Sequence, residues 1–182
     1  MILTDEALLT EIMEQREGST FTNKKDDAGG ATRWGITQDT LSSYLGRPAS
    51  VDEVANLTED LARRVYETLF VVRPGFAQVG DPQLRGLLVD CGVLHGPKNG
   101  VRFLQRALHV ADDGVFGNQT LTALAHADTL KLRIAVFGQR MRFLGRLITS
   151  NLTDADKDGI PDNTEHAAGW LNRFADVLGE LV

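Results

Sequence analysis

The sequence predicts a mainly α-helical protein with one small, irregular β-hairpin after its first helix. Three observations carry this reading. Apolar residues recur at helical spacing along most of the chain, beginning with Leu8, Leu9, Ile12 and Met13. Helix start and stop signals bracket those segments, with Thr, Ser, Asp or Pro in front and Gly or Pro behind. The exception is residues 17–37, EGSTFTNKKDDAGGATRWGIT, which are poor in large apolar residues and dense in Gly, Asp, Asn and Thr. A structureless loop of that length is uncommon in a compact domain unless it is functional.

The first helix is expected from about Thr4 to Arg16, with Thr4 as N-cap and Asp5 and Glu6 in its first turn. Glu17 follows at the C-terminal end, where the helix dipole disfavours a negative charge. A carboxyl there tends to keep its proton, which suits a general acid. The plainer alternative is a frayed, solvated glutamate. Gly18, Gly29, Gly30 and Gly35 exclude helix over residues 18–36. Alternation in Ser19–Thr22 and in Thr32–Trp34, around the turn-rich NKKDDAGG, predicts the hairpin. Gly29 and Gly30 admit positive φ or the close approach of a ligand. Phe21 and Trp34 could offer platforms for the apolar face of a sugar ring, or could plug the hairpin onto the helices.

Helical scaffold follows. Thr37 caps a short helix through Leu45, ended by Gly46 and Pro48, and Ser50-Val-Asp-Glu53 reads as a capping box for a turn of helix before Asn56. Thr58 caps a longer helix with Leu61, Val65, Leu69 and Phe70 on one face and Tyr66 at the core edge. Pro82 opens the most apolar segment, with Leu84, Leu87, Leu88, Cys91 and Leu94. Asp90 inside it needs a polar or charged partner, as a structural anchor or as a cleft residue, and an anchor is the favoured reading. Cys91 reads as a small buried hydrophobe. Val101, Leu104 and Leu108 give the next helix its face, Asp112-Asp113-Gly114 makes a turn, and Thr120–Ala125 makes a short helix. Asp128 caps a long helix to about Thr149, with Ile134, Phe137, Met141, Leu144 and Ile148 as its expected buried stripe. Lys131, Arg133, Arg140, Arg142 and Arg146 leave that helix basic, most simply as a solvated face.

Of the net charge of −6, a net of −4 sits in residues 154–165, DADKDGIPDNTE. These satisfy the EF-hand pattern, with Asp154, Asp156 and Asp158 at positions 1, 3 and 5, Gly159 at 6, Asp162 at 9 and Glu165 at 12. Ile160 would offer its backbone carbonyl, and a hard dication would relieve the mutual repulsion of the carboxylates. The reading is a structural calcium loop that locks the long helix to the last one, which carries Trp170, Leu171 and Phe174. The overall acidity argues against a nucleic-acid partner, although only −2 of it lies outside residues 154–165. One cysteine excludes an intramolecular disulfide framework, and no stretch approaches the roughly 20 apolar residues of a membrane span. MILTDEALLT has no basic n-region or long apolar run, so synthesis in the cytoplasm is expected, with release by some other agent. A monomer is expected.

The spacing Glu17, eight residues, Asp26, five residues, Thr32 resembles the Glu–Asp–Thr triad of phage lysozymes. The wider stretch resembles the EGGY…N…D…GG-T…GIT signature of the glycoside hydrolase family 108 muramidases, with Ser19 in place of its second Gly and Phe21 in place of its Tyr. LLVDCGVLHGP at 87–97, LQRALHVADDGVFGNQTLTAL at 104–124 and GWLNRF at 169–174 are similar to later stretches of that family. The resemblance implies a single lysozyme-like α+β domain over 1–182, with the catalytic hairpin at 18–36 and a peptidoglycan-binding-like segment at 97–127 integrated into it. It implies a phage endolysin that hydrolyses peptidoglycan after N-acetylmuramic acid, stored in the host cytoplasm until a holin pore admits it to the periplasm. Glu17 would be the acid, Asp26 the ionised carboxylate and Thr32 the holder of the attacking water, while Phe21, Asn23, Gly30 and Trp34 would meet the glycan. Asp27 is the rival to Asp26. A lytic transglycosylase, a non-catalytic wall-binding domain and a calcium-responsive regulator remain open at this point.

Overall fold

The computed structural model describes residues 9, 10, 12, 13, 19–23, 30–150, 167 and 171, with 149 and 150 by backbone alone. The chain divides into two compact units, one within residues 2–77 and one within residues 78–182. The described residues are mainly helical, with one two-stranded antiparallel sheet early in the chain.

In the first unit, Leu9 and Thr10 are α-helical and Ile12 and Met13 π-helical. Leu9, Ile12 and Met13 are buried, as their spacing predicts. The sheet pairs β1 (Thr32–Arg33) with β2 (Ile36–Thr37), Thr32 opposite Thr37 and Arg33 opposite Ile36. The expected pairing of 19–22 with 32–34 is present as a bridge between Thr22 and Thr32. Their amides and carbonyls exchange two bonds of 2.9 and 2.8 Å.

Helix α1 (Gln38–Leu45) starts where the Thr37 hydroxyl accepts from the Thr40 amide at 3.2 Å and stops at Gly46, whose φ of 69° turns the chain away. Helix α2 (Val51–Ala55) opens on a complete capping box. Ser50 Oγ accepts from the Glu53 amide at 3.1 Å, and the Glu53 carboxylate accepts from the Ser50 amide at 2.8 Å. Helix α3 (Glu59–Tyr66) is capped by Thr58 and runs into a π-helical segment, Glu67–Val72. Its buried residues are Ala62, Val65 and Tyr66, followed by Val71, and Leu61, Leu69 and Phe70 are only half-buried. The expected stripe therefore holds at Val65 alone. A π turn takes up more residues than an α turn and rotates the side chains that follow it.

The regular elements described in the second unit are all helices. They are α4 (Pro82–His95), α5 (Pro97–Ala107), α6 (Asn118–Ala125) and α7 (Thr129–Ser150). Helices α4, α5 and α7 pack against one another. Leu84, Leu88, Cys91, Val101, Phe103, Leu104 and Val136 are among their buried side chains. Asp90 is the anchor that its position demanded. Its carboxylate meets the guanidinium of Arg140 at 2.6 Å, and the Arg140 side chain is fully buried. Arg140 Nε also lies 3.4 Å from His95 Nε2.

That pair explains a miss on α7. The buried stripe is Leu132, Val136, Arg140 and Leu144, at intervals of four; Leu144 is its one expected member, whereas Ile134 is 55% exposed. Phe137, Met141 and Ile148 are half-buried. An arginine in the middle of the true stripe disguised it. Two members of the expected basic face are also spoken for, since Arg140 pairs with Asp90 and Arg133 with Asp81 at 2.9 Å.

The Asp112–Gly114 turn is built around Gln105, which is 2% exposed. Gln105 Nε2 donates to Asp113 Oδ1 at 2.8 Å and to the Val115 carbonyl at 3.0 Å, and its Oε1 accepts from the Gly114 amide at 2.8 Å. Gly114 has φ of 77°, and a Cβ there would stand 2.5 Å from Lys98 Cγ, so the position admits only glycine without rearrangement. Among the described residues, no helix is long and apolar enough to cross a membrane.

Candidate active site

The hairpin is fixed by a tight turn and three anchors. Between the paired Arg33 and Ile36 stand only Trp34 and Gly35, with φ of 56° and 67°. Positive φ at both central residues is what a type I′ hairpin turn requires. Gly35 adopts it freely, whereas a bulky side chain at Trp34 resists it.

The anchors run to the segment around α2 and to α3. Tyr66 Oη donates to the Trp34 carbonyl at 3.0 Å, and Trp34 Nε1 donates to the Leu57 carbonyl at 3.3 Å. The Arg33 guanidinium donates to the Ala55 carbonyl and, at 3.3 Å, to that of Ser19. Ala31 and Ile36, buried to 1% and 0% exposure, press the hairpin's inner face into the unit.

The acceptors Ala55 and Leu57 are held in turn by the network that begins α2. Arg47 donates to Glu53 through two nitrogens, at 3.1 and 2.6 Å. The Arg47 hydrogen bond, followed by that from the Ser50 amide, holds the Glu53 carboxyl down at about 2 against an ordinary 4.5.

Thr32 is half-buried on β1. Its hydroxyl donates to the Gly30 carbonyl at 3.3 Å. A hydroxyl that has spent its proton this way keeps its oxygen lone pairs as acceptors, the property needed to hold a water. Gly30 has φ of 62°, and a Cβ there would meet nothing within 4 Å, so backbone conformation rather than crowding calls for glycine.

Phe21 and Asn23 are both exposed and flank Thr22 across the bridge from Thr32. Trp34 is half-buried with its indole N–H engaged by Leu57.

The structure thus brings Thr32, Gly30, Phe21 and Asn23 around one bridge and sets Trp34 at the turn. Glu17, Asp26 and Asp27 lie outside the described residues, as do all the expected calcium ligands, Asp154, Asp156, Asp158, Ile160, Asp162 and Glu165. Sequence reasoning missed Arg33 and the Tyr66 hydroxyl as anchors. Trp-Gly is not among the dipeptides that announce a two-residue hairpin turn, so nothing local flagged the contact.

Residues 9–96 match the family described as Glycosyl hydrolase 108, and residues 99–175 match the one described as Predicted Peptidoglycan domain. The second match extends well past the expected 97–127 segment. Brucella abortus SagA, a solved structure, is 24% identical, with a TM-score of 0.77 over 98% of this chain and 95% of that one. That likeness speaks for the fold. No curated protein matches. The seam between the two family matches differs from the seam between the two compact units at residues 77 and 78. Helix α4 lies in the first match yet packs with α5 and α7 of the second.

Proposed function

We propose that this protein is a peptidoglycan hydrolase that cleaves the β-1,4 bond between N-acetylmuramic acid and N-acetylglucosamine. The observation that carries the reading is the union in one chain of a glycosidase family match and a peptidoglycan domain match, with the anchored Thr32 hairpin inside the former. In this reading Glu17 protonates the leaving glycosidic oxygen. Asp26, ionised, supports the oxocarbenium-like centre and the water, and Thr32 accepts a hydrogen bond from that water. Attack from the opposite face inverts the anomeric carbon, which calls for carboxyl groups about 6.5–9.5 Å apart. Phe21, Asn23, Gly30 and Trp34 meet the glycan.

Calcium at Asp154, Asp156, Asp158, Ile160, Asp162 and Glu165 stabilises the fold and takes no part in the bond cleavage. An endolysin working behind a holin fits this chemistry.

The test is Glu17→Gln on outer-membrane-permeabilised cells. Removing a general acid costs about 100- to 10,000-fold, so clearing should fall at least about 100-fold while pelleting with cell walls persists. Unchanged clearing by the variant, or none by the wild type, would overturn the reading.

A further inference from the structure

We propose that Tyr66 is a positioning residue for this hydrolysis, holding the Trp34–Gly35 turn so that Thr32 keeps its place on the hairpin. The inference rests on the role given to Thr32 above.

The Tyr66 side chain is 2% exposed, yet its hydroxyl reaches the carbonyl of a residue 32 positions away at 3.0 Å. That residue, Trp34, is one of two non-glycine residues with positive φ among those described. A conformation that disfavours its own side chain persists only where the surroundings over-determine it. Here the surroundings are the Tyr66 hydroxyl at the carbonyl and Leu57 at the indole.

The turn so held sets the register of β1 on β2, because Arg33 faces Ile36 only when two residues separate them. The next residue back is Thr32, bridged to Thr22. The hydroxyl therefore acts two residues away from the group that would hold the water, without touching substrate.

Tyr66→Phe keeps the ring and its packing on Phe70, 5.5 Å away. We expect it to lower kcat on peptidoglycan by about tenfold with KM within about twofold. Amide exchange at Thr32, bonded to the Thr22 carbonyl at 2.8 Å, should quicken in Tyr66→Phe while that of α1 does not change. Wild-type kcat in Tyr66→Phe, or a rise in KM equal to the fall in kcat, would overturn the proposal. A wild type that cleaves nothing removes the hydrolase reading, whereas unchanged Thr32 exchange in Tyr66→Phe removes this inference alone.

Discussion

Glu53 shows how much one side chain can organise. Its carboxylate closes the capping box of α2, receives Arg47, and so fixes the short helix whose end offers Ala55 and Leu57 to the hairpin. With its pKa held down at about 2, below the ordinary 4.5, it stays ionised in the folded state when a free glutamate would not. The stabilisation is fully present above about pH 4.5 and is lost as the pH falls toward 2. The pair is exposed and screened by salt, so its worth in stability is small. The titration midpoint itself is the clean readout: carboxyl NMR should place Glu53 near 2, moving up toward the ordinary value in Arg47→Ala.

The capping box was legible because Ser and Glu three residues apart announce it. Asp90 was legible as needing a partner, since a carboxylate inside an apolar helix must be compensated. Which partner was not legible, because Arg140 is 50 residues on and reads as surface.

At the scale of elements, helix ends were read well and helix faces less well. Thr37, Ser50, Thr58 and Asp128 each accept from an amide three residues on, as does Asp81, which the sequence reading passed over in favour of Pro82. Such signals are local and survive without knowledge of packing. A face depends on what it meets. On α7 the buried stripe runs through Leu132, Val136 and Arg140 to Leu144 and shares only Leu144 with the expected one, and after α3 the π-helical segment shifts the face again.

Leu144 is buried on either reading of α7, so Ile134 is the position that separates the two. Leu144→Ala should cost about 2–5 kcal/mol by thermal or denaturant unfolding, as for other buried leucines. Ile134→Ala, exposed, should stay within about 0.5 kcal/mol. Equal losses at the two positions would mean that the observed face is wrong. The hairpin was half legible. Alternation and the Gly-Gly turn marked the Thr22–Thr32 pairing, but the turn at Trp34 breaks the usual residue preference and is imposed by Tyr66 and Leu57 from elsewhere in the unit.

For the molecule as a whole, composition and helical periodicity gave the fold class, and the residues proposed to carry the chemistry fall where periodicity failed. Residues 17–37 and 154–165 are two stretches without a helical apolar pattern. The first resembles a catalytic hairpin and the second a calcium loop. The division of the chain into two compact units was not legible, because α4 belongs by sequence with the residues before it and by packing with those after it.

If the loop holds calcium in the folded state only, the ion adds stability by mass action, about 2.7 kcal/mol at a hundred times its dissociation constant. Chelation should therefore lower Tm, with glycan cleavage well below Tm unchanged, and Asp154→Ala should abolish the chelator's effect. Chelation that stops cleavage without moving Tm would make the ion part of the active machinery instead.

The central claim is that Glu17, Asp26 and Thr32 perform hydrolysis on the glycan. Mass spectrometry of the fragments released from purified peptidoglycan by the wild type and by Glu17→Gln measures it most directly. Hydrolysis by these groups predicts fragments with reducing N-acetylmuramic acid ends from the wild type and essentially none from the variant. Fragments ending in 1,6-anhydro-muramic acid, or equal release by both proteins, would contradict it.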